Sequence, residues 1–165
     1  MSHMEMDRRP LEVAILTVSD TRTWETDKGG QTVAQFVKEA HHHVAAQEIV
    51  PDDYDQIQSQ IREWLREIQP DCIITTGGTG IAKRDVTIEA VTDLLDKEIP
   101  GFGEIFRYIS YVDDIGTRAM ASRAVAGVSE KTVIFSLPGS VGAVSLGMER
   151  LIIPEMAHAV YEVNK

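Results

Sequence analysis

Short apolar runs alternate along the chain with segments whose apolar residues recur at helical spacing. Four runs rich in valine and isoleucine are LEVAILTV (11–18), HVAAQEIV (43–50), CIITT (72–76) and KTVIFSL (131–137). Apolar runs without strict polar alternation are typical of strands that are buried on both faces. The pattern therefore predicts four buried strands.

Helices are predicted between and after these strands. Their apolar stripes are, in chain order, Val33, Phe36, Val37 and Ala40; Ile57, Ile61, Trp64, Leu65 and Ile68; Val91, Leu94 and Leu95; and Val144, Met148, Leu151 and Ile152. Pro70 ends the second stripe, and Pro154 is expected to kink or split the last helical region. A less regular helical stretch is predicted from Gly101 to about Val128.

This alternation of strand and helix predicts the fold class. Buried strands separated by helices indicate an α/β fold with three α/β/α layers and a mainly parallel central sheet. In such sheets, ligands bind beyond the carboxyl ends of the strands. Loops at 19–30, 51–53, 76–85 and 138–140 all follow predicted strands. We therefore expect these four loops to converge on one edge of the sheet.

Composition places the chain among soluble globular proteins. Of its 165 residues, 43% are hydrophobic and 25% are charged, a usual balance for a globular domain. We expect one domain over residues 11–165, preceded at 1–10 by a flexible leader that starts with an expression scar, MSHM. No apolar run is long enough to cross a bilayer, so no membrane association is expected. Cys72 is the only cysteine, which excludes an internal disulfide framework and makes the cytoplasm the default location.

The formal net charge of −10 narrows the choice of ligand. It argues against nucleic acid as a partner, because nucleic-acid binding depends on clustered lysine and arginine. A ligand that carries phosphate must instead be held locally. Backbone N–H groups, a few basic side chains or a divalent cation can do this.

The segment TTGGTGIAKRDVT (75–87) follows the third predicted strand. Its glycines permit positive φ and let a ligand approach the backbone, so successive N–H groups can form a nest for an anion. A tight turn between strand and helix is the simpler alternative. The segment is neither a Walker A loop nor a G-x-G-x-x-G fingerprint. LPGS repeats the design, with Ser140 as either a helix cap or a phosphate ligand.

Two aspartates on these loops are candidate ligands for a metal. If Thr87 caps the following helix, with a hydrophobic staple between Val86 and Val91, Asp85 is free at the mouth of the site. If Asp53 caps its helix, with Gln56 three residues on, Asp52 is free too. Carboxylate oxygens are the ligands that Mg²⁺ prefers.

Other candidate contacts are less specific. The loop SDTRTWETDKGG (19–30) is long for a connection between strand and helix, and long loops are often functional. Ser19, Asp20 and Lys28 are candidate substrate contacts, although a solvated loop explains them equally well. In SRAVAG, Ser122 and Arg123 are placed on a helix. Arg123 is either an anion clamp or a surface arginine.

Five motifs together resemble the MoaB/MogA family of molybdenum cofactor biosynthesis, which is related to the gephyrin G domain. They are AILTVSDTR, TTGGTG…RDVT, PGFGE, SRAVAG and LPGS, and they occur in the family order. Each motif is weak alone, whereas five in order are specific. The short ending after IIPEMAHAV is similar to the MoaB branch.

The resemblance implies an activity and a set of site residues. Members adenylylate molybdopterin with ATP and Mg²⁺, and they assemble as trimers that often pair into hexamers. By resemblance, the pterin and its phosphate are held by Thr76, Gly77, Gly78, Thr79, Gly80, Pro138, Gly139 and Ser140, with Ser122 nearby. Asp52 and Asp85 match the acidic catalytic positions and are the expected Mg²⁺ ligands.

Two other functions remain open at this point. The protein can be a non-catalytic molybdopterin-binding or carrier protein, or an assembly partner of other proteins in the pathway that uses 101–128 as its contact surface. Some members of the MoaB branch lack the acidic residues, and this chain keeps both. Their presence favours the enzyme.

Overall fold

A computed structural model describes residues 9–165, and these contain one six-stranded sheet. The strands are β1 (Glu12–Val18), β2 (His43–Val50), β3 (Cys72–Thr76), β4 (Lys97–Glu98), β5 (Val125–Ser129) and β6 (Thr132–Leu137). The helices are α1 (Lys28–Glu39), α2 (Tyr54–Glu67), α3 (Thr87–Thr92), α4 (Pro100–Ser110), α5 (Val141–Gly147) and α6 (Ile153–Asn164). A π-helical turn (Tyr111–Ile115) and a 3-10 helix (Gly116–Ala121) follow α4, and a second π-helical turn (Met148–Ile152) joins α5 to α6.

The sheet is mainly parallel, as predicted. The strand order is β2-β1-β3-β6-β5-β4, and the first four of these strands run parallel. In this register Ile15 lies between Gln47 and Ile74, and Ile74 is paired with Phe135. β5 and β4 run antiparallel at the edge beside β6. Four adjacent parallel strands therefore bring their carboxyl ends to one edge.

Helices cover both faces of the sheet, and each face has its own hydrophobic cluster. Val13 and Ile15 of β1 belong to the cluster that also holds residues of α1, α5 and α6. Ala14 and Leu16 belong to the cluster formed with α2 and α3. Because successive residues of a central strand are buried on opposite faces, the strand is apolar at nearly every position. The predicted three-layer α/β/α fold is confirmed.

Two strands were not predicted. The helical stretch expected as far as Val128 ends earlier, and residues 125–128 belong to β5. β5 pairs with β6 through a tight turn in which Glu130 has a φ of 56°. At Gly127, a Cβ would lie 2.5 Å from the Lys97 carbonyl oxygen of β4. The helix prediction is wrong here because pairing with neighbouring strands overrides a weak local preference.

The helices follow the predicted stripes with two differences in detail. α3 ends at Thr92, so Leu94 and Leu95 pack on the core from the turn that follows. The last helical region is divided near Pro154, as predicted, because a π-helical turn separates α5 from α6. Pro154 lies in the first turn of α6, directly after the π-helical turn, and its missing N–H interrupts the helical hydrogen bonds there.

The amino-terminal end of the described chain is tied to the sheet. Of the predicted leader at 1–10, residues 1–8 lie outside the described residues, and the boundary at residue 11 stays a prediction. The Arg9 guanidinium donates to both carboxylate oxygens of Asp71 at 3.1 and 2.9 Å. Asp71 also accepts from the Glu12 amide at 2.8 Å. Across 9–165, no helix has the length and apolarity that a membrane span requires.

Candidate functional site

The glycine turn after β3 passes between the ends of the two neighbouring strands. Gly77 and Gly78 have φ values of 94° and 70°, which confirms the predicted positive φ. The Gly77 amide donates to the Leu137 carbonyl of β6 at 3.0 Å. A Cβ on Gly77 would lie 2.3 Å from the Val18 carbonyl oxygen of β1. The backbone here is too close to its neighbours for a side chain at either glycine.

The predicted loops converge around this turn. A Cβ on Gly78 would lie 2.1 Å from Thr87 Oγ1 and 3.4 Å from Asp52 Oδ1. A Cβ on Gly139 would lie 3.3 Å from the Gly77 Cα, so the two glycine loops are in contact. These loops were predicted to converge because each follows a predicted strand, and the structure shows them in contact.

A cleft of about 330 Å³ lies between these loops and the segment after α4. One wall is the glycine loop with Gly78, Thr79, Gly80 and Asp85. The LPGS loop and the start of α5 contribute Pro138, Gly139, Ser140 and Ala143. The third wall is formed by Ser110, Asp114, Ile115, Arg118, Ala121 and Ser122. The structure thus brings together most of the residues predicted to hold a ligand.

Two predicted ligand residues lie beneath the cleft and not in its wall. Thr76 is 1% exposed, and its Oγ1 donates to Thr17 Oγ1 at 3.4 Å. Gly77 shapes the turn through its contacts with the ends of β1 and β6. Both residues therefore support the cleft from inside the sheet edge.

Asp85 lines the cleft, but its environment differs from the prediction. One carboxylate oxygen accepts from the Ala82 amide at 2.9 Å, and a Cβ on Gly80 would lie 2.9 Å from the same oxygen. Thr87 is not the cap of α3: Val86 occupies the N-cap position and no side chain caps this helix. Thr87 Oγ1 is buried without a hydrogen-bond partner. Asp85 is therefore neither a cap nor free, because it closes its own loop.

Asp52 is not in the cleft wall but lies next to Gly78, which is, and its environment is acidic. The predicted cap of α2 is confirmed, since Asp53 accepts from the Gln56 amide at 2.9 Å. The Asp52 amide donates to Asp20 Oδ1 at 2.8 Å. Partial burial, and then the negative charges of Asp20 and Asp85, raise the pKa of Asp52 above its ordinary value. Three carboxylates therefore interact here.

The carboxylates suit a cation that obtains its other ligands from a substrate. Within the described chain, no three or more His, Cys, Asp or Glu residues are arranged to hold a metal ion. Mg²⁺ is usually bound by one or two carboxylates, with water and substrate phosphate completing its octahedron. Asp52 and Asp85 fit this kind of site, and repulsion between them would fall when a cation binds.

Arg123 lies outside the helix on which it was predicted. It follows the 3-10 helix in an extended segment, and its guanidinium donates to the Gly80 carbonyl at 2.9 Å and to the Asp85 carbonyl at 3.0 Å. It also forms an ion pair with both Glu89 oxygens. These contacts occupy the guanidinium and brace the glycine loop. They disfavour the anion clamp, one of the two roles that the sequence left open for Arg123.

The remaining predicted contacts lie in and around the cleft. Ser122 Oγ is buried without a partner, and Ser140 caps α5 by accepting from the Ala143 amide at 3.2 Å. Ser19 accepts from the amides of its own turn. Lys28 is exposed at the start of α1 and lies outside the cleft wall.

Some residues of the site carried no usable sequence signal. Ser110, Asp114, Ile115 and Arg118 line the cleft, yet they lie in the stretch whose irregular apolar spacing predicted only a helix. Asp27 is also important: it accepts from Thr17 Oγ1 at 2.6 Å and from an α1 amide, and it is 3% exposed. In the sequence, the only indication of its role is that Asp27 precedes two glycines at the start of a helix.

Comparisons with known proteins agree with one another over most of the chain. The family model described as a "Probable molybdopterin binding domain" matches residues 14–158. Molybdenum cofactor biosynthesis protein B of Staphylococcus epidermidis is 55% identical over 160 residues. The matched region covers 95% of this chain and 91% of that protein.

Solved structures agree with this relationship. A crystal structure of a molybdenum cofactor biosynthesis protein B superposes with a TM-score of 0.92 at 52% identity, covering 94% of this chain and 97% of that chain. The tungsten cofactor synthesizing protein MoaB of Pyrococcus furiosus has a TM-score of 0.83 at 36% identity, with coverages of 95% and 99%. The chain therefore belongs to the MoaB/MogA family of molybdenum cofactor biosynthesis proteins.

Proposed function

We propose that this protein binds molybdopterin in the cleft and adenylylates it with ATP and Mg²⁺. The observation that carries the proposal is the position of the glycine turn beside two aspartates, Asp52 on the loop before α2 and Asp85 on the glycine loop itself. Gly78 has a φ of 70°, and the position of its missing Cβ is 3.4 Å from Asp52 Oδ1. Asp85 lines the same cleft. A phosphate approaching this backbone would meet carboxylates that are suited to a divalent cation.

The chemistry is a transfer between two phosphates. An oxygen of the molybdopterin phosphate attacks the α-phosphorus of ATP, a new P–O–P bridge forms, and pyrophosphate leaves. No covalent protein nucleophile is required, since positioning and charge neutralisation suffice. Mg²⁺, when bound, supplies charge neutralisation and polarises the phosphate oxygens.

Each wall of the cleft has a role in this proposal. Backbone N–H groups of Gly78 and Gly80 donate to phosphate, and such fixed donors are worth about 10²- to 10³-fold in rate for one group. Ser122 Oγ is buried and unpartnered, so a ligand oxygen would satisfy its hydrogen-bonding capacity. Asp52 and Asp85 hold the cation. Partial burial raises the pKa of Asp52 first, and the negative charges of Asp20 and Asp85 add a repulsion that the cation would offset.

An adenylyl-transfer assay tests the proposal. Purified protein is incubated with molybdopterin, ATP and Mg²⁺, and adenylyl-molybdopterin and pyrophosphate are quantified. We expect both products in equal amounts, and none when EDTA removes Mg²⁺. Binding of molybdopterin without product would identify a carrier. Binding of neither ligand would favour an assembly partner of other proteins in the pathway.

We also propose that the protein self-associates as a trimer or hexamer. A surface formed by α4 and the turns after it is apolar and exposed. Its members are Ile105, Tyr108, Tyr111, Val112, Ile115 and Met120. Monomeric proteins rarely expose large apolar patches, so a surface of this kind indicates a protein interface. Cytoplasmic location remains a prediction.

A further inference from the structure

The wall of the cleft contains both acidic residues and a basic residue that could contact an anionic ligand directly. The protein carries a formal net charge of −10, and Asp85 and Asp114 both line the cleft. These negative charges repel a phosphate group, and a positive side chain in the wall would reduce that repulsion in addition to a bound Mg²⁺. The question is which basic residue can do so.

Arg123 is excluded by its contacts. Its guanidinium is held by the Gly80 and Asp85 carbonyls and by the Glu89 carboxylate. Its own amide donates to the Thr79 carbonyl at 3.1 Å. Turning this side chain toward a ligand would leave two loop carbonyls and a carboxylate without their donor, which is costly.

Arg118 has the opposite character. It lies on the 3-10 helix (Gly116–Ala121) and is the one basic residue in the cleft wall among residues 9–165. Over the same range, its guanidinium makes no hydrogen bond or ion pair with the protein. The buried neighbour Ala119, which is 3% exposed, anchors this short helix. Arg118 is therefore held near the cleft by its backbone while its five N–H donors are available.

The placement of Arg118 matches what a phosphate needs. It shares one wall with Ser122, whose buried Oγ has no partner. Gly78, Gly80 and Ser140 contribute to the other walls of the same cleft. A phosphate bound here meets a bidentate cation, a hydroxyl and backbone N–H groups together, which is the donor set typical of phosphate sites.

We infer that Arg118 supplies the cationic contact to a phosphate group of the ligand in this cleft, while Arg123 only holds the glycine loop. This inference rests on the proposed function. The phosphate is either the monoester of molybdopterin or the triphosphate of ATP. Both have the same chemistry toward a guanidinium.

The test measures binding of each ligand separately. Molybdopterin, and ATP with Mg²⁺, are titrated by calorimetry into wild type, Arg118→Gln, Arg118→Lys and the control Arg66→Gln. The control removes the same charge from α2, where Arg66 forms an ion pair with its exposed neighbour Glu67. Melting temperatures are measured for all four proteins.

Arg118→Gln removes a charged hydrogen-bond donor. We therefore expect it to weaken the affinity for one of the two ligands about 10- to 100-fold. Arg118→Lys should retain part of the affinity, because it keeps the charge and loses the fork. Arg66→Gln should bind like wild type, and all melting temperatures should agree. The ligand whose affinity falls identifies the phosphate that Arg118 contacts.

Other results would overturn the inference in distinguishable ways. Unchanged affinity of Arg118→Gln for both ligands removes Arg118 from the site and leaves the proposed function intact. Equal losses in Arg118→Gln and Arg66→Gln indicate a long-range charge effect. If both Arg118 variants have a lowered melting temperature, Arg118 stabilises the fold and is not assigned to the ligand. Wild type that binds neither ligand overturns the inference and the proposed function together.

Discussion

Asp85 combines an observed structural contact with a proposed chemical role. One oxygen accepts from the Ala82 amide at 2.9 Å, and the residue also lines the cleft beside the glycine loop. An asparagine carbonyl oxygen can accept the same hydrogen bond but lacks the negative charge. Asparagine and alanine therefore separate the two roles.

We predict that Asp85→Asn lowers the rate of adenylyl transfer by about 10²-fold or more, by analogy with loss of other electrostatic catalytic groups. Its melting temperature and its affinity for molybdopterin should remain close to wild type. Asp85→Ala should lose the same activity and also about 1 kcal/mol of stability, because the loop hydrogen bond disappears. Transfer rates and thermal unfolding measure these effects. Full activity in Asp85→Asn would contradict the catalytic role.

The fold itself requires glycine at position 78, whether or not a ligand binds there. Gly78→Ala should destabilise the protein by about 1–3 kcal/mol, because a Cβ in this backbone conformation is strained. It would also lie 2.1 Å from Thr87 Oγ1. Gly101→Ala is the matched control, since a Cβ there has nothing within 4 Å and lies in α4. Denaturant unfolding of both variants should show a loss only at Gly78.

The raised pKa of Asp52 predicts that the stability of the protein depends on pH. The folded-state pKa of Asp52 is raised by burial and by Asp20 and Asp85, so the ionised form is less stable in the folded protein than in the unfolded chain. Wild type should lose stability relative to Asp52→Asn as pH rises from the ordinary carboxyl pKa of about 4 through the raised value. Below that window both side chains are neutral, and the difference should vanish.

Thermal unfolding of both proteins between about pH 3 and pH 7 measures this difference. Added Mg²⁺ should reduce it at neutral pH if Asp52 holds the cation. A difference that is constant with pH, or of opposite sign, would contradict the electrostatic explanation.

The loop that carries the glycines depends on an element outside it. The segment after the 3-10 helix supplies Arg123, whose guanidinium joins the Gly80 and Asp85 carbonyls to Glu89 on α3. The same contacts lower the pKa of Glu89, mainly through the hydrogen bond from Arg123. The loop and α3 are therefore fixed relative to each other by one side chain.

We predict that Arg123→Gln destabilises the protein by about 1–3 kcal/mol, since two carbonyls and a carboxylate lose a charged donor. Glu89→Gln should cost less, about 0.5–1 kcal/mol, because it removes a part-exposed ion pair and keeps both carbonyl contacts. Denaturant unfolding of both variants gives the comparison. Equal losses would mean that the ion pair, and not the carbonyl contacts, braces the loop.

The whole molecule presents a surface that one chain does not cover. On α4 and the turns that follow, Tyr108 is 66% exposed, Val112 is 55% exposed and Met120 is 85% exposed. This surface adjoins the cleft, because Ile115 belongs to the cleft wall as well. Assembly through it would therefore place a second copy near the ligand.

We predict that the protein has a mass larger than a dimer in light scattering at micromolar concentration. Tyr108→Asp should reduce this mass, because a charge in an apolar interface is strongly disfavoured. Ile68→Asp is the control, since Ile68 is 39% exposed and lies at the end of α2, outside this surface. A monomer mass for wild type would contradict the assembly, and equal effects of the two variants would contradict the choice of surface.

Much of the fold is encoded in local patterns. The strands β1, β3 and β6 could be predicted because burial on both faces of a parallel sheet leaves continuous apolar runs. The edge strand β2, which is only partly buried, was predicted from its apolar residues, and α1 and α2 from their apolar stripes. The loops of the site could be predicted because carboxyl ends of parallel strands share an edge. The cap at Asp53 followed from spacing alone.

The remaining features of the fold and the site depend on contacts between residues that are distant in sequence. β5 is a strand because it pairs with β6 and β4. Arg123 braces the glycine loop, and its partner Gly80 is separated from it by 43 positions. Such partners have no fixed spacing in sequence, so the pattern that placed Arg123 on a helix could not show where its guanidinium donates. Arg118 reached the cleft in the same way, through the packing of a short 3-10 helix with no recognisable motif. Local periodicity thus specified the elements, whereas contacts between distant residues assigned the polar side chains their partners.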